Sequence, residues 1–439
     1  MPTTSRISYK LLLKRIKNSV RLRSKIISAI VDIPDVRFGG VNPDYLRYAL
    51  QSTYHPVEAL RRCITLSKDL PLEVYVRPWA LGKLSHPLVP HLTLLKAECH
   101  RIRKFMAGHM NHEELIHFFP IIPGQVNEFP MMEVFYLSGY TSRVDITDGL
   151  PMGLIYSPNL RHLELGEAYL VECFMTTTFL PLYTLVLSSH RCLVPALIIL
   201  HFISLCPHIT ALKLDIWNAY DTDVGWPQDR ITLHQLQDLW FYANSTNNTM
   251  YLLRSLHMPR LLRVVFGERY PQNSVFRRQL FSHILLETSL TLQYLSINRN
   301  SFPGGSNLIE PLLIRMDRLR TLSFTEVEVV PSVLDLLIPP EGRPPEEWPL
   351  PWLENLSFKR VDLPGDSLIK VITTRSIPDS MDHLLSEDPL CPNPNLRYSY
   401  LSVDIAKILL KLDNSLFVKA NTLGLLVSLV INNSIEIIK

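Results

Sequence analysis

The ten residues Ser157 to Gly166, SPNLRHLELG, set Leu160, Leu163 and Leu165 at the spacing L-x-x-L-x-L, and that spacing of apolar residues returns along most of the chain. It opens at Met132, Leu160, Leu182, Ile209, Leu236, Leu261, Leu292, Leu319 and Leu353, so successive starts lie 28, 22, 27, 27, 25, 31, 27 and 34 residues apart. A phrase repeated in order at such a period restricts the fold severely. Each unit supplies one short strand and a return segment, too little to bury its own apolar side, so only stacked neighbours build a core. Ile102, Phe105 and Ala107 form a weaker unit before the first, and Leu396 opens a degenerate last one.

The segments between the phrases return the chain. Met250 to Leu256, Val275 to Leu286, Leu308 to Met316 and Val333 to Ile338 carry apolar residues at mixed helical separations and are predicted to be short helices. Cys192 to Cys206 reads as a buried return segment; with Pro195 and His201 inside, it is shorter than the ~20 residues a membrane span requires. Pro130, Pro158, Pro181, Pro207 and Pro259 are expected just before the strands, where a proline ends the preceding helix and costs no ladder bond. The expected class is α/β: an irregular leucine-rich-repeat solenoid, parallel strands on its concave face and short helices on its convex face, with an N-terminal helical cap. The ninth-position Asn of a regular repeat occurs only as Asn244 and Asn300, hence the irregularity.

Outside the array the chain changes style. Residues 1 to 31 hold Arg6, Lys10, Lys14, Arg15, Lys17, Arg21, Arg23 and Lys25 with no acidic residue, against a net charge of +3 for the whole chain. Helical spacing puts Leu12, Ile16 and Val20 on one face; a transit segment, a phosphate-binding arm and a solvated edge helix all fit this pattern. Within residues 32 to 100, Arg61 to Val76 reads as a helix, a Lys68-Asp69 turn and a strand of alternating Leu72, Val74 and Val76. The array spans 101 to 375, and 376 to 439 is assigned to the degenerate last repeat and a C-terminal cap.

Chemistry-bearing motifs are sparse. The six cysteines form no C-x-x-C pair, which suits thiols in a reducing compartment, cytoplasmic or nuclear. In HMNHEELIH, His112 and His117 are five apart and diverge by about 140° around a helix, so no zinc-protease site is formed. His109 and His112 share a face but lack a third ligand, and Asp221 with Asp223 reads as a solvated loop. Glycine-rich phosphate loops and a nucleophile elbow are absent. No enzyme activity, metal or cofactor is expected, nor a nucleic-acid ligand or a membrane span.

Period-two alternation turns the residues between the template positions to the concave face. The residues expected to bind a partner there are Tyr136, Glu164, Lys213, Asp215, Trp240, Tyr242, Tyr294, Asn298 and Lys359. Trp240 and Tyr242, an aromatic pair on one strand, have the composition of a hot spot, unless the insert Asp221 to Gln228 folds over them.

SKDLPLEVYV, then CPHITALKL within the array, then LENLSFKRVDLPGDSLIKVITTR resemble the leucine-rich F-box-like proteins expanded in mushroom-forming fungi. Leu66 to Val74 fits the family's segment after the F-box; Asp366 to Ile372 with Arg375 fits the segment that closes its array. Residues 1 to 31 carry neither the leucine-proline opening nor the tryptophan-bearing end of an F-box. The resemblance implies protein-protein recognition as a substrate receptor of a cullin-type ubiquitin ligase, with the ligase adaptor as a partner. A stand-alone scaffold with no ubiquitin role, and a hydrolase or metal enzyme hidden in the inserts, are the alternatives.

Overall fold

A computed structural model describes residues 27–30, 56–76, 89–138 except 109, 111 and 123, 153–174, 179–189, 194–216, 219–220, 230–243, 252–268, 286–298, 310–325, 331–338, 340, 347–359, 370–371, 398–401, 428–431 and 434–437. The basic N-terminal stretch before Ile27, Asn244, Asn300, the Asp221 to Gln228 insert and most of the C-terminal region lie outside them. The chain divides into two compact units, the first Met1–Val194 with His201–Ile209, the second Pro195–Leu200 with Thr210–Lys439. Both are mixed α/β and both are organised on parallel strands.

In the first unit the strands are β1 (Ile27–Ile30), β2 (Leu72–Val76), β3 (Ile102–Ala107), β4 (Val134–Leu137), β5 (His162–Leu165) and β6 (Thr184–Ser189). Each pairs in parallel with the next along the chain. In the second the sequential parallel ladder is β7 (Ala211–Ile216), β8 (Asp238–Ala243), β9 (Arg263–Glu268), β10 (Tyr294–Asn298), β11 (Thr321–Thr325), β12 (Asn355–Lys359) and β13 (Tyr398–Leu401), with Ser428–Ile431 and Ser434–Ile437 forming a separate antiparallel pair. Strands that neighbour one another in chain order, with no reversal, are compatible with a solenoid-like winding. The degenerate unit opened by Leu396 keeps register, Ser399 and Leu401 standing against Leu356 and Phe358.

The repeated phrase sets this register. Phe135, Leu163 and Leu185 are aligned across β4 to β6, and Leu137, Leu165 and Leu187 beside them. Leu212, Leu239, Val264, Leu295, Leu322 and Leu356 form the matching row in the second unit. All of these are buried, as are the opening residues of the nine phrases. A one-residue slip would turn the whole row to the other face, so burial of one face fixes the pairing. Aromatic side chains thicken the core: Phe105 stacks on Phe135 at 5.5 Å, and Phe324 on Phe358 at 5.7 Å with planes 9° apart.

The prolines stand just before the strands, as expected, and four of them do so in turns. Pro130, Pro158, Pro207 and Pro259 each occupy the second position of a turn that closes onto the opening residue of a phrase. Met132 N–H donates to the Phe129 carbonyl, Leu160 to Ser157, Ile209 to Cys206 and Leu261 to Met258. Proline presets the backbone angle that this turn position needs. At several strand starts one carbonyl takes two successive N–H groups: Glu133 O accepts from Arg161 and His162, Gln237 O from Leu262 and Arg263, and Arg320 O from Glu354 and Asn355. The ladder thus begins before the strand does.

The return segments are short. Ala196–Ser204 is an α-helix with Ala196, Ile199, Leu200, Phe202 and Ile203 buried, as a buried return requires. Glu310–Leu313 is helical inside the predicted range Leu308 to Met316, and Pro331–Leu337 is a helix overlapping the predicted range Val333 to Ile338, while Val275 to Leu285 lies outside the described residues. Near the start of the first unit, helix Pro56–Ser67 ends at Lys68, whose φ of 49° is the left-handed value of a helix C-terminus. Arg101, buried, ties that helix to the sheet: its guanidinium donates to Ser67 Oγ at 2.6 Å and to the Ile64 carbonyl at 3.2 Å, and pairs with Glu98 at 2.6 Å. Among the described residues no helix is long and apolar enough to cross a membrane.

Candidate binding face

Strand alternation leaves one sheet face for the core and turns the other outward. On the outward face of the first unit, Glu73, Lys104, Val134, His162 and Thr184 form one row across β2 to β6, and Tyr75, Met106, Tyr136, Glu164 and Val186 the next. Tyr136 and Glu164, predicted separately, are register partners and both half-buried. The charges here are matched locally. Lys104 Nζ lies 2.9 Å from Glu73 Oε1, Tyr75 donates its hydroxyl to Glu73 Oε2 at 3.2 Å, and His162 Nε2 is 3.7 Å from Glu164 Oε2.

The second unit carries a different arrangement. Three outward rows cross its strands: Ala211, Asp238, Arg263, Tyr294, Thr321 and Asn355; Lys213, Trp240, Val265, Ser296, Ser323 and Ser357; Asp215, Tyr242, Gly267, Asn298, Thr325 and Lys359. Six of the predicted residues meet here: Lys213 stands beside Trp240, Asp215 beside Tyr242, and Tyr294 and Asn298 share β10. Lys359 holds its register position beyond Thr325, its side chain outside the described residues. Asp215 differs from expectation in being buried, as is Ser296.

Trp240 and Tyr242 are not free-standing rings. The Arg263 guanidinium carbon sits 5.3 Å from the centre of the Trp240 ring and 4.2 Å from that of Tyr294, so the cation lies against two aromatic rings drawn from the strands on either side. Desolvated cation–π contacts of this kind contribute about 0.5–2 kcal/mol each. Tyr242 leans across Gly267, and its hydroxyl accepts a hydrogen bond from Asn298 Nδ2 at 3.0 Å, two strands away. Only a residue without a side chain at 267 leaves room, since a Cβ there would lie 2.2 Å from Tyr242 Cδ1. Burial pushes the Asp238 carboxyl above the ordinary range, and the charge of Arg263, its register neighbour, opposes that rise.

Arg263, which alternation also turns to the concave face, and Gly267 were not among the residues expected to bind. The signal was present in RVVFGE, where a glycine stands at an outward position that holds Asp, Tyr, Asn or Thr in neighbouring units. The histidines singled out in HMNHEELIH are divided by the structure. His112–Phe118 is a helix, and His117 Nε2 lies 2.7 Å from Thr93 Oγ1, while His109 lies outside the described residues. Among the described residues no three His, Cys, Asp or Glu side chains gather as a metal set. Cys173 and Cys206 are buried thiols, both pushed up to about 12 by desolvation, which leaves them protonated and weakly nucleophilic.

Comparison with protein-family models finds no match to this chain, and a search of curated proteins finds none either.

Proposed function

We propose that the chain is an irregular leucine-rich-repeat solenoid whose outward sheet face recognises a protein partner. The observation that carries this reading is the cluster of Trp240, Arg263 and Tyr294 with Tyr242 beside it. Trp, Tyr and Arg are the residue types that dominate binding energy at protein interfaces, and here they sit together on adjacent strands, bordered on β11 by Thr321, Ser323 and Thr325. Rings already packed against neighbouring strands lose little freedom when a partner covers them. Tyr136, Glu164, Lys213, Asp215, Asn298 and Lys359 belong to the same reading as flanking positions.

A role as substrate receptor of a cullin-type ubiquitin ligase is supported by the resemblance of SKDLPLEVYV and DSLIKVITTR to segments of F-box-like proteins. Two measurements test the proposal. Partners captured on the wild-type chain should be lost, by roughly tenfold or more, from a folded Trp240→Ala/Tyr242→Ala double variant; unchanged capture removes this face. A pull-down with the purified ligase adaptor separates receptor from scaffold: retention supports the receptor, and a clean failure leaves a stand-alone recognition protein.

A further inference from the structure

Charges on the two outward faces are handled differently. In the first unit Lys104 is held by Glu73, and His162 faces Glu164. In the second unit Arg263 makes no hydrogen bond or ion pair among the described residues, and its Nε is buried with no acceptor. Lys213, the register neighbour of Trp240, also has no polar partner among them. Asp238 stands opposite Arg263 in register without forming an ion pair with it.

Aromatic rings therefore occupy the guanidinium of Arg263 while its N–H groups go unused. A guanidinium is planar, and its donors lie along its edge in a fork that matches the two oxygens of a carboxylate. Stacking against Trp240 and Tyr294 fixes the plane and leaves that edge as the route by which the donors can be satisfied. The Nε donor is shielded from solvent and so from a ligand as well; the terminal N–H groups, which no acceptor among the described residues holds, are the ones a ligand oxygen can reach. Resting on the recognition role proposed above, we propose that Arg263 anchors an acidic side chain of the partner polypeptide. An Asp or Glu carboxylate accepts from the guanidinium edge, Trp240 and Tyr294 hold that edge in place, and Lys213 adds a second positive charge two strands away. Bidentate Arg–carboxylate pairing carries specificity as well as affinity.

The test uses the full chain and immobilised random dodecapeptides, with a second library in which serine is phosphorylated. Wild type is expected to enrich peptides sharing one Asp or Glu. Replacing that residue by Asn or Gln in the best peptide should weaken binding about tenfold or more. Arg263→Met, which keeps an unbranched stem but no charge, should lose the same factor and become indifferent to the Asn or Gln exchange; Arg263→Lys should fall between. Circular dichroism of each variant confirms the fold. Enriched peptides without a shared acid, an acid whose exchange costs Arg263→Met as much as wild type, or enrichment confined to phosphopeptides would each overturn the proposal while leaving a recognition face. A folded wild type that enriches nothing from either library counts against the recognition role itself.

Discussion

Gly267 is the most economical place to test how the outward face is built. An alanine there would put its Cβ 2.2 Å from Cδ1 and 2.3 Å from Cε1 of Tyr242, closer than any real contact, so the ring must swing away. Overpacking of this kind costs about 1–3 kcal/mol. The displaced hydroxyl also leaves Asn298 Nδ2, now 3.0 Å away, losing a hydrogen bond of about 1 kcal/mol. Against this, alanine in place of glycine in a strand recovers about 0.5–1 kcal/mol of backbone entropy. Gly267→Ala should therefore destabilise by about 1–3 kcal/mol in urea unfolding followed by circular dichroism. In a Tyr242→Ala background the clash is gone, and the same substitution should be neutral or slightly stabilising. Equal cost in the two backgrounds, or none in either, would refute the packing of Tyr242 over Gly267.

Three further outcomes follow from the same contacts. Leu163→Ala removes a fully buried side chain from the middle of the first unit's core row and should cost about 2–5 kcal/mol, read as a lower urea midpoint with unchanged slope. Arg230→Ala breaks a two-pronged pair with Glu287, at 2.6 and 2.9 Å, and hydrogen bonds to the carbonyls of Arg254 and Leu256; the exposed setting limits the loss to about 1–2 kcal/mol, visible as a shift in thermal midpoint. Cys173 and Cys206 stay protonated in the folded chain up to about 12, whereas thiols in the unfolded chain ionise from about 9.0, so the unfolded state releases protons first. Stability is then unaffected by these groups below pH 9 and falls as pH rises from 9 toward 12, and a Cys173→Ala/Cys206→Ala variant should show a flatter alkaline limb in pH-dependent unfolding.

The strands were legible because their signal is local. L-x-x-L-x-L repeats the burial rule of a single strand, so the templates at Met132 through Leu353, the weaker one at Ile102 and the degenerate one at Leu396 all fall on parallel strands in the expected register. The prolines fell just before the strands, as expected, but the turns that hold them were not foreseen. Pro130 precedes the strand at Val134, and its ring suits the second position of the Phe129–Met132 turn. The cluster on the outward face depends on residues far apart in sequence. Arg263 meets rings 23 residues before it and 31 after it, and Tyr242 reaches Asn298 only because Gly267 lies between them. Alternation told which side chains face outward; it carried nothing about which would lean on a neighbour, or that Asp215 would be buried.

Photo-crosslinking tests the central claim most directly. A benzophenone amino acid at Ser323, half-buried on the outward face, is compared with one at Ile314, 55% exposed after the helix Glu310–Leu313. Both positions lie in the second unit, and neither belongs to the Trp240, Arg263 and Tyr294 cluster. Outward-face recognition predicts a discrete crosslinked polypeptide from position 323, abolished by Trp240→Ala, and none from position 314. A crosslink from 314 alone, or one from 323 indifferent to Trp240→Ala, would contradict it.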